Sequence, residues 1–288
     1  MAYDIVMFGH FARDRNMVDG HGRIESGGAV YFGSIAARRL GARVAIVTRL
    51  HPDDFPYLDE VKHEGIDVFA HPAPQTSGIE NTYNSADMER RVCKLLGFAG
   101  AMRLAEIPNV TARIYALTPI IAGEFDLTFL KTMAARGPVA LDVQGFVRVP
   151  HGRDLISHAW DEMAEGLRHV TYLKVDRAEA ELLTGETDLA RAAHQLAAYG
   201  PREIVLTQSS GVTVFVDGHV YTAPFMSRAL AGRTGRGDTC FLSYLAWRLD
   251  HSPGEAARVA AAVTTLKQER PGPWRGSLAE VETLIARM

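Results

Sequence analysis

Short, continuous apolar runs recur along the chain and are typical of buried strands. The predicted strands are Asp4–Gly9, Val44–Thr48, Ile114–Thr118, Val139–Val143, Tyr172–Val175 and Ile204–Thr207. Helix-forming segments, several of them followed by glycine, lie between these runs. The predicted helices are Ala29–Leu40, Pro56–Glu64, Leu127–Arg136, Ala178–Thr184 and Leu189–Ala198. This alternation predicts an α/β fold in which helices connect the strands of a mostly parallel sheet.

Two segments interrupt the alternation and predict a small β appendage. Polar residues dominate the stretch from Asp14 to Ile24. Thr82–Ser85 and Arg91–Leu96 are short extended candidates on either side of the polar residues 87–90, an arrangement typical of a hairpin. We therefore expect these segments to form a structure apart from the main sheet.

The C-terminal third of the chain changes from strands to helices. Val212–Val216 and His219–Thr222 flank Asp217-Gly218, which is a strong signal for a two-residue hairpin turn. Apolar helical segments follow at Asp238–Leu249, Pro253–Lys267 and Leu278–Arg287. The sequence shows no internal repeat, linker or low-complexity tract, so we expect residues 1–288 to form a single domain.

Composition and charge narrow the class of protein. The chain has 31 Lys+Arg against 34 Asp+Glu, a net charge of -3, and no basic run, which argues against a nucleic-acid partner. Cys93 and Cys240 are too few for a disulfide framework or, by themselves, a zinc site. No signal-peptide pattern opens the chain, and no apolar stretch of about 18 residues predicts a membrane span. We therefore expect a cytoplasmic protein that binds neither nucleic acid nor membrane.

The strongest chemical signal is the segment Gly232–Cys240, with the sequence GRTGRGDTC, which precedes an apolar helix. Glycines let the backbone approach a ligand closely, and the N–H groups at a helix start attract anions. Asp238 lies beside this anion cradle, where a carboxylate can take a proton from an attacking hydroxyl, as phosphoryl transfer requires. The structural alternative is that Asp238 or Thr239 caps the helix and the glycines form a turn. Neither a P-loop nor a GxGxxG dinucleotide motif is present.

Residues 234–239 (TGRGDT) resemble the D-T-x-G-A-G-D-T/S signature of PfkB/ribokinase-type carbohydrate kinases. The resemblance implies that Asp238 is the general base and that the backbone of Gly235, Arg236 and Gly237 forms the anion hole. It also implies a phosphotransferase that uses ATP and Mg²⁺. The implied fold is a three-layer α/β/α ribokinase-like domain with a small β-sheet lid at residues 12–26 and 78–98. Exposed strand edges on such a lid are compatible with a homodimer that pairs through them.

Other segments extend the resemblance to the binding of the acceptor. Gly27 and Gly28 match the glycine pair of the family's N-terminal signature, and Asp14 matches an aspartate that holds substrate hydroxyls. Phe32 stands where sugar-binding members commonly carry Asn. The resemblance therefore implies that one hydroxyl contact of those members is lost here.

Residues 27–32 (GGAVYF) and 141–148 (LDVQGFVR) resemble the branch that contains myo-inositol kinases. This likeness implies a cyclitol acceptor and makes Asp142 and Arg148 candidate substrate contacts, although Asp142 at a strand end can equally cap a turn. A nucleoside or hydroxymethyl-pyrimidine kinase is an alternative, for which Phe11, Phe32 and Tyr83 supply aromatic rings. A sugar or nucleotide sensor without turnover is a further alternative.

The donor side of the resemblance rests on two short segments. Residues 174–179 (KVDRAE) resemble the K-x-N-x-x-E segment linked to Mg²⁺ and phosphate, which implies Asp176 and Glu179 as metal ligands. Residues 207–211 (TQSSG) stand where T-x-G-x-x-G usually lines the nucleotide site, one residue shorter and without the first glycine. The implied nucleotide contacts are Lys174, Thr207, Ser209, Gly211 and Thr234.

The glycine loop departs from the family signature at two positions. Gly232 occupies the place of the leading Asp, which is tied to activation by monovalent cations, so the resemblance does not extend to potassium dependence. Arg236 replaces the usual Ala. Its guanidinium either contacts a phosphate or faces solvent, and the sequence leaves both readings open.

Overall fold

The computed structural model of the protein describes residues 2–84 and 87–288. Its strands are β1 (Ala2–Phe8), β2 (Ala12–Val18), β3 (His21–Gly27), β4 (Val44–Leu50), β5 (Asp67–Pro72), β6 (Gly78–Asn84), β7 (Asp87–Gly97), β8 (Thr111–Leu117), β9 (Val139–Asp142), β10 (Arg148–His151), β11 (Asp154–Ser157), β12 (Tyr172–Asp176), β13 (Glu203–Gln208), β14 (Gly211–Val216) and β15 (His219–Pro224).

The α-helices are α1 (Ala29–Arg39), α2 (Asp59–His63), α3 (Leu127–Ala134), α4 (Gln144–Val147), α5 (Met163–Gly166), α6 (Arg177–Thr184), α7 (Leu189–Ala197), α8 (Arg236–Arg248), α9 (Pro253–Gln268) and α10 (Leu278–Ile285). Short 3-10 segments cover Pro52–Leu58, Leu104–Glu106 and Leu167–His169. Across the described ranges, no helix is long and apolar enough to cross a membrane.

The large sheet has the strand order β15-β14-β13-β12-β9-β8-β1-β4-β5. From β13 to β5 all neighbouring strands are parallel, whereas β14 and β15 form an antiparallel hairpin at one edge. The predicted turn of this hairpin is present: Asp217 and Gly218 have φ angles of 48° and 81°. Positive φ at both central residues matches the right-handed twist of the flanking strands.

Helices cover both faces of the large sheet and create the three-layer α/β/α architecture that the sequence predicts. On one face, α1, α8 and α9 pack an apolar core that includes Ile35, Phe241 and Ala260. On the other face, α3, α6 and α7 pack a core that includes Phe129 and Leu196. Because parallel strands are buried on both faces, their sequences are continuous apolar runs.

A second, small sheet has the order β10-β11-β7-β6-β2-β3. The segments predicted as a lid contribute β2, β3, β6 and β7, but the hairpin β10–β11 was not predicted. The prediction of residues 87–90 as a polar tip is wrong, because β7 begins at Asp87 and pairs it with Asn84. Ser85, the end of one predicted strand, lies outside the described residues.

The largest local departure in the main domain concerns the segment before α2. Pro56–Glu64 was predicted as one helix, but a 3-10 segment runs to Leu58 before α2 begins at Asp59. Pro52 and Pro56 lie in this segment, and proline has no N–H to donate to a regular helical ladder. The strand β5 that follows was also not predicted.

Candidate active site

The candidate active site lies where the parallel strands end and the small sheet faces them. A cavity of about 240 Å³ at this edge is lined by Thr118 after β8, Asp176 at the end of β12 and Thr207 in β13. The small sheet contributes Asp14 and Asn81 to the opposite side of the lining. Ligands of open α/β sheets bind at the carboxyl ends of the strands, so the position itself indicates a ligand site.

The cavity brings together most of the residues that the sequence predicts for the site. Those that line it are Asp14, Gly28, Phe32, Arg148, Lys174, Asp176, Thr207, Thr234, Gly235, Arg236, Gly237 and Asp238. The predicted site residues outside the lining are Gly27, Asp142, Glu179, Ser209 and Gly211.

The glycine loop leads directly into α8. Gly235 is the N-cap residue of this helix and has a φ angle of 79°, a conformation that favours glycine. A Cβ atom at Gly235 would also lie 2.2 Å from the ring of Phe32. No side chain caps the helix start, so capping by Asp238 or Thr239 is not what the structure shows. Gly235 and Gly237 both border the cavity, where the N–H groups of the first helical turn favour an anion.

Arg236 contributes less of its backbone to an anion hole than the sequence implies. Its N–H donates to the Arg233 carbonyl at 3.1 Å, closing a turn within the loop. Arg233 and Arg236 both line the cavity. A contact between the Arg236 guanidinium and a phosphate stays a prediction.

Asp238 lies in the first turn of α8 and borders the cavity. Burial raises the pKa of Asp238 to about 6, Asp142 acts in the same direction, and Lys174 and Arg148 oppose the rise. A carboxyl group with this pKa is mostly ionised at neutral pH, yet it is a stronger base than an ordinary aspartate. These properties suit a group that accepts a proton from a hydroxyl.

Lys174, the central residue of β12, lines the cavity. Its Nζ lies 3.1 Å from Asp142 Oδ1 and 3.5 Å from Glu179 Oε2. Although burial opposes the charge, these carboxylates raise the pKa of Lys174, so the ammonium stays charged. Asp142 also accepts the Gln144 N–H at 3.1 Å. Asp142 therefore positions Lys174 and caps a turn, which is the alternative that the sequence left open.

Asp176 and Glu179 form a reciprocal capping box at the start of α6. Asp176 Oδ1 accepts the Glu179 N–H at 2.8 Å, and Glu179 Oε2 accepts the Asp176 N–H at 2.6 Å. Among the described residues, no group of three or more His, Cys, Asp or Glu side chains could hold a metal ion. The donor set fits Mg²⁺ only if the ion takes most of its ligands from donor phosphates and water, which is its usual habit.

Asp14 and the glycine pair shape the opposite side of the cavity. Asp14 Oδ1 accepts the Ile79 N–H at 2.9 Å and ties β2 to β6. A Cβ atom at Gly27 would lie 2.3 Å from Asp14 Oδ2, so Gly27 gives this carboxylate room without lining the cavity. Gly28 has a φ angle of 86°, and a Cβ there would lie 2.4 Å from the His10 carbonyl oxygen.

Phe32 and Arg148 border the cavity in different ways. Phe32 exposes only 3% of its surface, and its ring packs under Gly235. Arg148 donates to Gln144 Oε1 at 2.9 Å and to the Ile120 carbonyl at 3.5 Å. The arginine is therefore held beside the cavity by the first residue of α4 and by the loop residue Ile120.

The predicted nucleotide contacts divide into two groups. Thr207 and Thr234 line the cavity. Ser209 lies in the turn between β13 and β14. Gly211 pairs with Gln208 in the sheet, and a Cβ there would lie 2.4 Å from the Ala223 carbonyl oxygen. Ser209 and Gly211 are therefore separate from the cavity that holds Asp238.

Sequence reasoning missed several residues of the site. Arg233, Asn81 and Gln144 line the cavity. Buried Glu124 accepts the N–H groups of Ile120, Ile121 and His10, which fixes the loop that carries Ile120 to the cavity. Arg233 and Gln144 had local signals, since Arg233 is a cation within the glycine-rich segment and Gln144 lies within residues 141–148. Asn81 and Glu124 depend on contacts with distant parts of the chain, at Asn16 and His10.

Comparison with known proteins places these features in context. A model of the pfkB family of carbohydrate kinases matches residues 2–277. No curated protein sequence matches the chain significantly.

Solved structures resemble the chain over nearly its whole length. A pyrophosphate-dependent kinase in the ribokinase family, in complex with sulfate, is 34% identical in sequence and has a TM-score of 0.91. The match covers 96% of this chain and 99% of that kinase's chain. A pyrophosphate-dependent myo-inositol-1 kinase, converted by mutation into a myo-inositol-3 kinase, is 32% identical, with a TM-score of 0.89 and 98% of each chain covered. Arabidopsis thaliana ribokinase, complexed with ribose and ATP, is 19% identical, with a TM-score of 0.77 and 99% of each chain covered, and shows the fold alone.

Proposed function

The chain belongs to the pfkB family of carbohydrate kinases, and we propose that it transfers a phosphoryl group from inorganic pyrophosphate to a hydroxyl of a cyclitol such as myo-inositol. The observation that carries the proposal is a single cavity lined by Asp238 and by the cationic residues Lys174, Arg233 and Arg236. Phosphoryl transfer needs a base for the attacking hydroxyl and positive charge around the donor phosphates. Both are available in this cavity.

Pyrophosphate is the donor that the cationic lining favours. It is a small, highly charged anion without a base or a ribose, so Arg233, Arg236 and Lys174 can meet its charge within the cavity. Two structures of more than 30% identity belong to pyrophosphate-dependent kinases. The donor assignment follows from this likeness together with the basic lining.

ATP is the second candidate donor. The resemblance of the sequence motifs implied ATP, and a ribokinase of the same fold has been solved with it. Against ATP, Ser209 and Gly211 are expected to contact the nucleotide but lie outside the cavity. We therefore treat ATP as the alternative that the first experiment must test.

In the proposed mechanism, Asp238 takes the proton of the acceptor hydroxyl as the oxygen attacks the terminal phosphorus of pyrophosphate. The new P–O bond forms as the bridging P–O bond breaks, and orthophosphate leaves. The N–H groups of Gly235 and Gly237 stabilise charge on the transferred phosphoryl. Mg²⁺ bound with the donor would neutralise phosphate charge, and Asp176, which lines the cavity, would hold it. Glu179 would act behind it, by accepting the Asp176 N–H. Asp14 and Gly28 orient the acceptor.

The acceptor side of the cavity suits a polyol. Asp14, Asn81, Gln144 and Arg148 present polar groups that match several hydroxyls around a ring. Phe32 also lines the cavity, and its apolar ring has no group that could hydrogen-bond a hydroxyl. The small sheet would act as a lid that excludes water from the phosphoryl group.

The test is a donor and acceptor panel. Orthophosphate release from Mg-pyrophosphate and ADP release from Mg-ATP are measured with inositols, pentoses, hexoses, nucleosides and a hydroxymethyl-pyrimidine. We expect turnover with pyrophosphate and myo-inositol, and a loss of kcat on the order of 10²-fold or more in Asp238→Asn. Asp188→Asn is the matched control, because Asn also caps α7 and the site is remote.

Each other outcome replaces a stated part of the proposal. Faster turnover with Mg-ATP would replace the donor, and turnover on a nucleoside or pyrimidine would replace the acceptor class. Near-normal turnover of Asp238→Asn would refute the base assignment. Ligand-induced thermal stabilisation without any turnover would identify a sensor.

A further inference from the structure

A buried lysine lies behind the glycine loop. Lys267, in the last turn of α9, exposes only 2% of its surface. Its Nζ donates to the Gly232 carbonyl at 2.5 Å and to the Thr234 carbonyl, and it lies 4.9 Å from the centre of the Phe32 ring. The ammonium is therefore clamped between two backbone oxygens of the loop that carries the proposed anion hole. The mechanism above gives it no role.

The contact with Thr234 fixes the direction of the next peptide group. In a planar trans peptide, the carbonyl and the following N–H point in opposite directions. No described peptide bond is cis. Because the Thr234 carbonyl points at Lys267, the Gly235 N–H points away from Lys267. Lys267 therefore sets the direction of an N–H group at the border of the cavity.

Position 232 has no room for a side chain, so a carboxylate that could bind a free cation cannot stand there. A Cβ atom at Gly232 would lie 1.8 Å from the Arg270 carbonyl oxygen, so no side chain fits there. Converging backbone carbonyls are the kind of ligand that holds monovalent cations in proteins. Here the ammonium of Lys267 occupies the space between the carbonyls of Gly232 and Thr234.

We propose that the Lys267 ammonium acts as a built-in monovalent cation, which holds the backbone of Gly232–Thr234 in the conformation that presents the Gly235 N–H to the phosphoryl group and makes turnover independent of added potassium. Lys267 is a positioning residue, since it acts through the loop. The inference rests on the proposed function and deepens it.

The charge of Lys267 persists at neutral pH. Burial lowers the pKa of Lys267 to about 8, while Asp238 and Glu25 oppose the fall. The group is therefore mostly protonated at pH 7, which the proposed role requires. The adjacent Phe32 ring adds a favourable contact for a cation over an aromatic face.

The experiment compares two variants that differ in the space they leave. Lys267→Ala removes the charge and opens a gap that a small cation can enter, whereas Lys267→Met removes the charge and fills the gap. The kcat of both variants and of the wild type is measured with pyrophosphate and myo-inositol in choline, potassium and ammonium chloride at equal ionic strength. The thermal unfolding temperature of each variant is recorded in the same buffers.

We expect wild-type kcat to be the same in all three salts. Both variants should lose about 100-fold in kcat in choline chloride, the size of effect seen when an anion hole loses a donor. Ammonium or potassium should restore about tenfold in Lys267→Ala, because a free ion replaces a tethered one incompletely, and nothing in Lys267→Met. If Lys267 had only a packing role, potassium or ammonium would not restore kcat in Lys267→Ala while leaving Lys267→Met unchanged.

Several results would overturn the inference. One is a wild-type kcat that requires potassium or ammonium. Another is a kcat of Lys267→Ala in choline chloride that equals the wild-type value. The third is a loss of kcat in folded Lys267→Ala that neither potassium nor ammonium relieves. The wild-type measurement can still overturn the inference if the variants do not fold.

Failure of the proposed function is recognised separately, because the wild type would then show no turnover with either pyrophosphate or ATP. In that case, calorimetric binding of imidodiphosphate tests the loop by itself. Its affinity should fall in both variants and recover with ammonium only in Lys267→Ala, and equal affinity in all three proteins would refute the inference.

Discussion

The pKa of Asp238 in the folded protein is about 6, against 3.8 for an ordinary aspartate. Burial is the main cause, and Asp142 adds to it. Between these two pH values the folded state binds more protons than the unfolded state. The free energy of unfolding therefore falls as the pH rises from about 4 to about 6, and it stays lower at neutral pH. Ionisation of Asp238 therefore lowers the free energy of unfolding, although the proposed catalytic role requires the ionised form.

Replacing Asp238 by Asn should remove this cost. We expect Asp238→Asn to raise the free energy of unfolding by about 1–3 kcal/mol at pH 7, and to lose most of this advantage near pH 4, where Asp238 is protonated in the folded state and about half protonated in the unfolded state. Urea denaturation at the two pH values measures the difference, with Asp188→Asn as the control. A variant that is less stable than the wild type at pH 7, but not at pH 4, would contradict the account.

At the scale of secondary structure, Lys174 links β12 with the end of β9 and the start of α6. Its partners Asp142 and Glu179 are buried with it. Charges that are buried together are costly to separate, because removal of one leaves the others without compensation. The carboxyl edge of the sheet is therefore held by an electrostatic cluster directly beneath the proposed donor site.

Removal of this lysine should destabilise the whole edge. Lys174→Met is expected to lower the free energy of unfolding by about 3–5 kcal/mol, because Asp142 and Glu179 stay buried without a cation. Thermal and urea denaturation give the value. The further changes Asp142→Asn and Glu179→Gln should recover much of the loss. If the triple variant is no more stable than Lys174→Met, the cluster does not act through charge.

The strands differ in how well the sequence predicts them, for a physical reason. The strands of the parallel core are buried on both faces, so continuous apolar runs such as Val44–Leu50 identify them. β2 has the sequence ARDRNMV and pairs with β3 and with β6, which lies more than 60 residues further on, so its pattern carries little local information.

The site shows the same division. Gly235 and Asp238 were found because their chemistry is encoded in one short segment. Lys267 was missed because its partners are backbone carbonyls 33 and 35 residues away in sequence, which no local pattern records. Glu124 was missed because one of its partners is the His10 N–H, 114 residues away. For Asp142 the sequence left a substrate contact and a turn cap open, and only the folded chain shows that Lys174 is its partner.

At the scale of the molecule, the cavity lies between the large sheet and the small sheet, which are formed by different strands. Asp14 and Asn81 reach it from the small sheet, and Lys174 and Asp238 from the main domain. A ligand that contacts both sides links them. Binding should therefore stabilise the small sheet against local opening.

Hydrogen exchange tests this link. With saturating imidodiphosphate and myo-inositol, amide exchange in β2 and β6 should slow by about tenfold or more, because the bound state must open before these amides exchange. Peptides from α10, far from the cavity, serve as the internal control. Unchanged exchange in β2 and β6 at saturation would show that the small sheet does not close over the ligand.

The strand order has a consequence for synthesis of the chain. Of the described strands, β1 is made first, yet it lies in the large sheet between β4 and β8. β4 is available soon afterwards, but the other edge of β1 stays open until Leu117 has left the ribosome. An apolar strand edge without a partner is a template for pairing with other chains. The nascent chain is thus most prone to aggregation, and most in need of a chaperone, while the residues between β4 and β8 are being translated.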